Sequence, residues 1–230
     1  MAAEVTKLWH LDAIEVFDGF SSDEKRMLER MIDVRTYKKN EPVYNVNDES
    51  TRLFFVIKGR IKLGKNSTNG KECIKHVITE GKAFGTLGFI DKKFEGHRGD
   101  HAVSMDHDTL IASISNSDFN KLSEKHPELK QRIIQSVIAK YRRLDSRLES
   151  IMFKDAKTRL IEFIKELAED YGMPVGHELL IKHRLTHQEI ANITAISRQK
   201  ITTLLNEMKQ DGLIHLERKS LLVHDMDMLK

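Results

Sequence analysis

The 230-residue chain has one cysteine, Cys73. That count excludes an internal disulfide and any four-cysteine zinc or iron–sulfur site within the chain. No run of about 18 apolar residues is present, so no membrane-spanning helix is expected. The N-terminus lacks the basic-then-apolar pattern of a secretory signal, and the expected location is the cytoplasm, with no membrane partner. There is no P-loop, nucleophile elbow, HExxH pair or glycine-rich dinucleotide fingerprint followed by a suitable acid, so an enzyme is not expected. A large charge imbalance is missing too: 38 Lys and Arg face 35 Asp and Glu, a formal net charge of +3. A pI near 8.8 is too mild to argue for nucleic acid alone. What remains is an ordinary composition, 40% hydrophobic and 32% charged, in a chain long enough for two modest domains.

Residues 185–216, LTHQEIANITAISRQKITTLLNEMKQDGLIHL, carry the strongest pattern. Thr186 followed by Glu189 predicts a capping box, and Ile190 and Ile193 give that short helix (about 188–194) a buried face. Ser197 is placed to cap a second helix running to about Gln210, with Ile201, Leu204, Leu205 and Met208 at helical spacing. Its opposite face presents Arg198, Gln199, Lys200, Thr202 and Thr203, all able to hydrogen-bond and none acidic. A solvated helical hairpin would share this pattern; a helix-turn-helix that reads the major groove also does. The residues just downstream favour the groove reader. Gly212 ends the helix, residues 213–216 and 221–224 read as strands, and the turn between them holds Arg218 and Lys219, suited to phosphate. Between Lys182 and Lys219 there are seven Lys or Arg against four Asp or Glu, so the basic character belongs to one surface.

Upstream, residues to about 33 read as short helices. Residues 34–114 alternate short β-prone runs with turns, implying an antiparallel barrel or sandwich. A long helix is predicted from near His126-Pro127 to about Phe153. On it Ile134, Val137, Tyr141, Leu144, Leu148 and Ile151 step by three and four, as in a coiled-coil seam between two copies. Packing on its own barrel is the alternative. Lys154-Asp155 reads as a hinge, residues 156–171 as another amphipathic helix, and Gly172-Met173-Pro174 as its stop.

Three stretches, LFFVIKGRIKL (53–63), GKECIKHVITEGKAFGTLG (70–88) and THQEIANITAISRQKITTLLNEMKQDGLI (186–214), make the whole chain resemble the Crp/Fnr family of bacterial transcription regulators. The resemblance implies an α+β chain. An N-terminal antiparallel β-roll of the cyclic-nucleotide-binding, jelly-roll type (1–125) precedes a dimerisation helix (126–153) and a C-terminal winged helix-turn-helix (154–230). It implies a homodimeric, sequence-specific regulator on palindromic double-stranded DNA, with RNA polymerase as a further partner. Arg198 becomes the base reader, bonding guanine O6 and N7. Gln199 and Thr203 stand where familiar members carry Glu and a second Arg, so a different half-site is expected. Thr186, His187 and Ser197 fall at the phosphates, and Gln188, Lys200 and Thr202 count among the DNA-binding residues.

The effector site the resemblance implies is Gly85, Thr86, Leu87 and Gly88 with Arg98. Cyclic-AMP-binding members have F-G-E-L-G and, about ten residues on, Arg-Ser; here Thr86 replaces the Glu, and Gly99-Asp100 align with Arg-Ser. Cyclic AMP in the usual mode is therefore not expected, leaving another small effector or a constitutively active dimer. A cyclic-nucleotide regulator with a rearranged phosphate clamp is the alternative, and no cofactor is specified. His97, His101 and His107 with nearby Asp100, Asp106 and Asp108 match no metal-ligand spacing. Cys73 and His76 fall on opposite faces of a strand, which disfavours joint haem ligation and suggests a buried Cys73.

Overall fold

The computed structural model describes residues 10–87, 96–217 and 219–229. Its contacts divide the chain into two compact units, Met1–Arg142 and Arg143–Lys230.

The first unit opens with a 3-10 turn, Glu15–Phe17, and helix α1, Ser22–Glu29. Ser21 caps α1 through a reciprocal box: Glu24 N–H donates to Ser21 Oγ (3.3 Å) and Ser21 N–H donates to Glu24 Oε2 (2.7 Å). Next along the chain come strands β1 (Ile32–Tyr37), β2 (Pro42–Tyr44), β3 (Arg52–Lys58), β4 (Ile61–Asn66), β5 (Glu72–Ile78), β6 (Ala83–Phe84), β7 (His101–Ser104) and β8 (Thr109–Ser115). They form two antiparallel sheets, ordered β1-β8-β3-β6 and β2-β7-β4-β5. This is the expected β-roll.

Strand β3 explains why the roll needs an unbroken apolar run. Leu53, Phe55 and Ile57 pack outward against Leu11, Phe17, Leu28, Leu129 and Ile133, while Phe54 and Val56 pack inward with Tyr44, Ile61, Phe84 and Ile111. A strand buried on both faces cannot alternate apolar with polar. Cys73 corrects one expectation: it is exposed, and its neighbour Ile74 is the buried residue.

Helix α2, Asn116–Lys125, went unread in the sequence; Ser115 caps it by accepting from Asp118 N–H (3.0 Å). Helix α3, Glu128–Phe153, starts directly after Pro127. Its first turns bury Leu129 and Ile133, and Arg132 Nη1 donates to the carbonyls of Val16 (2.9 Å) and Asp18 (2.7 Å).

In the second unit the end of α3 pairs with helix α4, Ala156–Tyr171. Arg143 holds Asp170 through two bonds of 2.8 and 2.6 Å, Arg147 Nη2 donates to Glu166 (2.8 Å), and Ser150 Oγ donates to Glu162 (2.6 Å), which Lys154 also reaches. Partners descend from 170 to 162 as donors climb from 143 to 154, so α4 runs back along α3 as an antiparallel hairpin. Asp155 caps α4 by accepting from Thr158 N–H (2.8 Å).

The expected stop after α4 is a strand. β9, Gly172–Val175, pairs antiparallel with β10, Glu178–Ile181, and Pro174 sits opposite Leu179. β9 is the edge of the sheet β11-β12-β10-β9, where proline's missing N–H is tolerated. Helices α5, His187–Thr194, and α6, Arg198–Gln210, precede the wing strands β11, Ile214–Glu217, and β12, Ser220–Val223. Leu160, Ile164, Ile190, Ile201, Leu205, Leu221 and Val223 form the core beneath them.

Candidate nucleic-acid interface and sensor pocket

Each helix of the helix-turn-helix starts on the cap its sequence suggested. Thr186 Oγ1 accepts from Glu189 N–H (3.2 Å), and Glu189 accepts from Thr186 N–H (2.7 Å). Ser197 Oγ accepts from Lys200 N–H (3.2 Å). Between them Ala195 takes the left-handed conformation at φ +56°, which turns the chain sharply enough to set α6 across α5.

Arg198, Gln199, Lys200 and Thr203 are exposed on the first turns of α6. Ser197, Arg198, Gln199 and Thr202 border one open surface hollow. Thr203 Oγ1 donates to the carbonyl of Gln199 (3.1 Å) and Thr202 Oγ1 to that of Arg198 (3.0 Å). Thr202 is less available than its spacing implied, because its oxygen also bonds His187 Nδ1 (2.9 Å). Gln188 is exposed and donates to Asn192 Oδ1 (2.8 Å). At the wing turn Lys219 is exposed with φ +65°, and its carbonyl accepts from Arg184 N–H (2.9 Å), tying the wing to the approach to α5. Arg218 lies outside the described residues.

In the roll, Gly85 has φ +68°, and a Cβ there would stand 2.7 Å from Arg98 Nη1 and 3.0 Å from Phe54. Only glycine fits. Arg98 is 5% exposed. Its Nη1 donates to the Gly85 carbonyl (2.8 Å), its Nη2 to the Arg52 carbonyl (2.6 Å), and its guanidinium lies 4.5 Å from the Tyr44 ring centre and 5.3 Å from that of Phe54. Burial pulls its pKa down. Asp100 faces the same ring: Tyr44 Oη donates to it at 3.5 Å, and Lys75 Nζ lies 3.8 Å away. Burial, then Asp100, push the Tyr44 hydroxyl's pKa up. Thr86 is buried, Leu87 is 57% exposed, and Gly88 lies outside the described residues. The sequence signal for Arg98 was its spacing: the alignment gave Gly99-Asp100 the clamp position, whereas Arg98 is the cation beside Gly85. Lys140 donates from α3 to the Ala83 carbonyl (2.7 Å).

Along α3, Ile134, Tyr141, Leu144, Leu148 and Ile151 are exposed large apolar residues, and Val137 is half-buried. Ile138 and Met152 extend that stripe, although the seam spacing did not pick them out. Among the described residues no group of three or more His, Cys, Asp or Glu is placed to hold a metal, and no helix is long and apolar enough to cross a membrane.

The profile of the cyclic nucleotide-binding domain matches residues 34–126, and that of the Crp-like helix-turn-helix domain matches residues 158–230. The chain belongs to the Crp/Fnr family of transcription regulators. As a member of that family it is a DNA-binding regulator and not an enzyme. The CRP-like cAMP-activated global transcriptional regulator of Mycobacterium tuberculosis is 26% identical over 222 residues, covering 93% of this chain and 94% of that protein. The global nitrogen regulator of Synechocystis is 26% identical over 195 residues, 84% of each chain. Among solved structures, a mutant CooA from Carboxydothermus hydrogenoformans superposes with a TM-score of 0.80 at 24% identity, over 94% of this chain and 93% of that one. The c-di-GMP responsive global regulator CLP of Xanthomonas campestris gives 0.72 at 18% identity, over 87% and 97%. Cyclic AMP is named for the Mycobacterium protein and c-di-GMP for the Xanthomonas protein, each for that protein alone.

Proposed function

We propose that this Crp/Fnr regulator works as a homodimer on a palindromic operator, with Arg198 and Gln199 reading bases and Thr186, His187, Ser197 and Lys219 meeting phosphates. The observation that carries the reading is the exposed, acid-free first turn of α6, where Arg198 and Gln199 border one open hollow. Dimerisation is supported by the exposed stripe from Ile134 to Met152, whose 3–4 spacing is that of a coiled-coil seam. RNA polymerase and a cytoplasmic setting belong to the same reading.

For the sensor we propose an effector other than cyclic AMP in its usual mode, or a dimer competent without one. Arg98 has both Nη groups engaged by carbonyls, and the Asp100 carboxylate beside it repels a phosphate. A cyclic-nucleotide sensor with a rearranged clamp is the second reading, favoured by the burial of Arg98 directly beside Gly85.

The experiment pairs in vitro selection of DNA sequences with thermal unfolding against cyclic nucleotides, haem and divalent metals. Recovery of a palindrome supports the regulator reading, and recovery of no preferred sequence overturns it. A melting shift with cyclic AMP would overturn the sensor reading in favour of the second.

A further inference from the structure

Two neighbouring threonines on α6 use their hydroxyls alike but face different surroundings. A threonine hydroxyl has one hydrogen to give. Thr202 donates it to the Arg198 carbonyl (3.0 Å) and Thr203 to the Gln199 carbonyl (3.1 Å), each one turn back along the helix. Thr202 is half-buried, and its oxygen also meets His187 Nδ1 at 2.9 Å. Thr203 is exposed, as Arg198 and Gln199 are. With its oxygen turned back onto the carbonyl of its own helix, the group Thr203 has left for a base edge is its γ-methyl.

We infer that Thr203 reads a thymine through its methyl group, so that each half-site carries a thymine within about two base pairs of the one Gln199 contacts. It rests on the reading that α6 enters the major groove with Arg198 and Gln199 at the bases.

The chemistry of the groove narrows what such a side chain can select. Major-groove base edges present donors, acceptors and one apolar feature, the C5 methyl of thymine. A hydroxyl hydrogen already held by the Gln199 carbonyl is not available to guanine O6 or N7, or to adenine N7. Gln199 and Thr203 stand one turn apart on the same helix face, about 6 Å of rise, and successive base pairs are about 3.4 Å apart. The rival contact uses the lone pairs of Thr203 Oγ1, which accept from adenine N6 or cytosine N4. The two contacts differ in which half of the side chain carries the selectivity, and each half can be removed separately.

The test uses the full chain and the operator it selects, with each thymine in turn replaced by uracil. Uracil lacks the C5 methyl and keeps every hydrogen-bonding group. Replacement at one thymine position should weaken wild-type binding roughly fourfold per half-site, or about fifteenfold when both are changed. Thr203→Val keeps a methyl and drops the hydroxyl, and should retain this sensitivity. Thr203→Ser keeps the hydroxyl and drops the methyl, and should bind the thymine and uracil operators equally at that position. Three results overturn the inference: no sensitive thymine in wild type, a sensitivity that survives in Thr203→Ser, or one that is lost in Thr203→Val. Arg198→Ala separates this failure from that of the groove reading. If it loses operator preference while uracil is silent in wild type, the thymine contact alone falls. If it keeps the preference, or if selection returns no operator, the groove reading falls and the thymine contact falls with it.

Discussion

Lys140 Nζ donates to the carbonyl of Ala83 at 2.7 Å, and the same burial that brings the two together lowers the lysine pKa to about 8. Asp100 pulls in the opposite direction but more weakly. In the unfolded chain the group titrates near 10.5, so between about pH 8 and 10.5 the unfolded state holds more protons and folding stability rises with pH. Below pH 8 both states are protonated and the folded one bears the full desolvation cost. Lys140 as a whole is only partly buried, so that cost is about 1–3 kcal/mol. Urea unfolding of wild type should show this rise, and Lys140→Met should flatten it.

Arg198→Ala should cost about 1–3 kcal/mol on the selected operator and far less on random DNA, because a bidentate base contact discriminates and a phosphate contact does not. Equal losses on both DNAs would remove Arg198 from the base-reading role. Gln199→Glu should move the preference at one base pair from adenine toward cytosine, read by repeating the selection.

Ala195 holds a left-handed backbone at φ +56°, a conformation that a Cβ makes costly and glycine does not. Ala195→Gly should raise stability by about 0.5–1 kcal/mol, seen as a higher Tm with unchanged operator preference. A lower Tm would mean that the alanine methyl contributes more to packing than the backbone loses.

The rungs between α3 and α4 differ in exposure, and their energies should differ accordingly. Arg143–Asp170 is roughly 40% exposed at the side chains and should couple by about 0.5–1 kcal/mol in a double-mutant cycle. Arg147–Glu166, at 19% and 26%, should couple more strongly and lose less of it at 0.5 M salt. Glu162 loses solvation on burial, yet its bonds from Lys154 and Ser150 outweigh that and hold its pKa below the ordinary value. The stability it adds is present above the unfolded carboxyl pKa and is lost as pH falls through the folded value.

The helix-turn-helix was legible because its signals are local: Thr186, Glu189 and Ser197 act on amides within three residues. The long helix and the β3 run were legible for the same reason, through periodicity and continuity. The strand β9 was not, because Gly172 and Pro174 read as a stop unless β10 is known to lie alongside. The cradle of Arg98 was not legible, because the two carbonyls that hold it, those of Gly85 and Arg52, are far apart in sequence. The α3–α4 rungs escaped notice likewise, since Arg143 and Arg147 look solvated until α4 folds back on them. Cys73 was misjudged because strand parity could not be set before the bulge at Leu63 and Gly64 was seen.

Helix α3 is anchored at its two ends by different sets of bonds, with Arg132 and Lys140 tied to the roll and Arg143, Arg147 and Ser150 tied to α4. The turn between Lys140 and Arg143 bears neither set. A break in the helix there would cut neither set, so each half of α3 should keep the partners it has in its own unit.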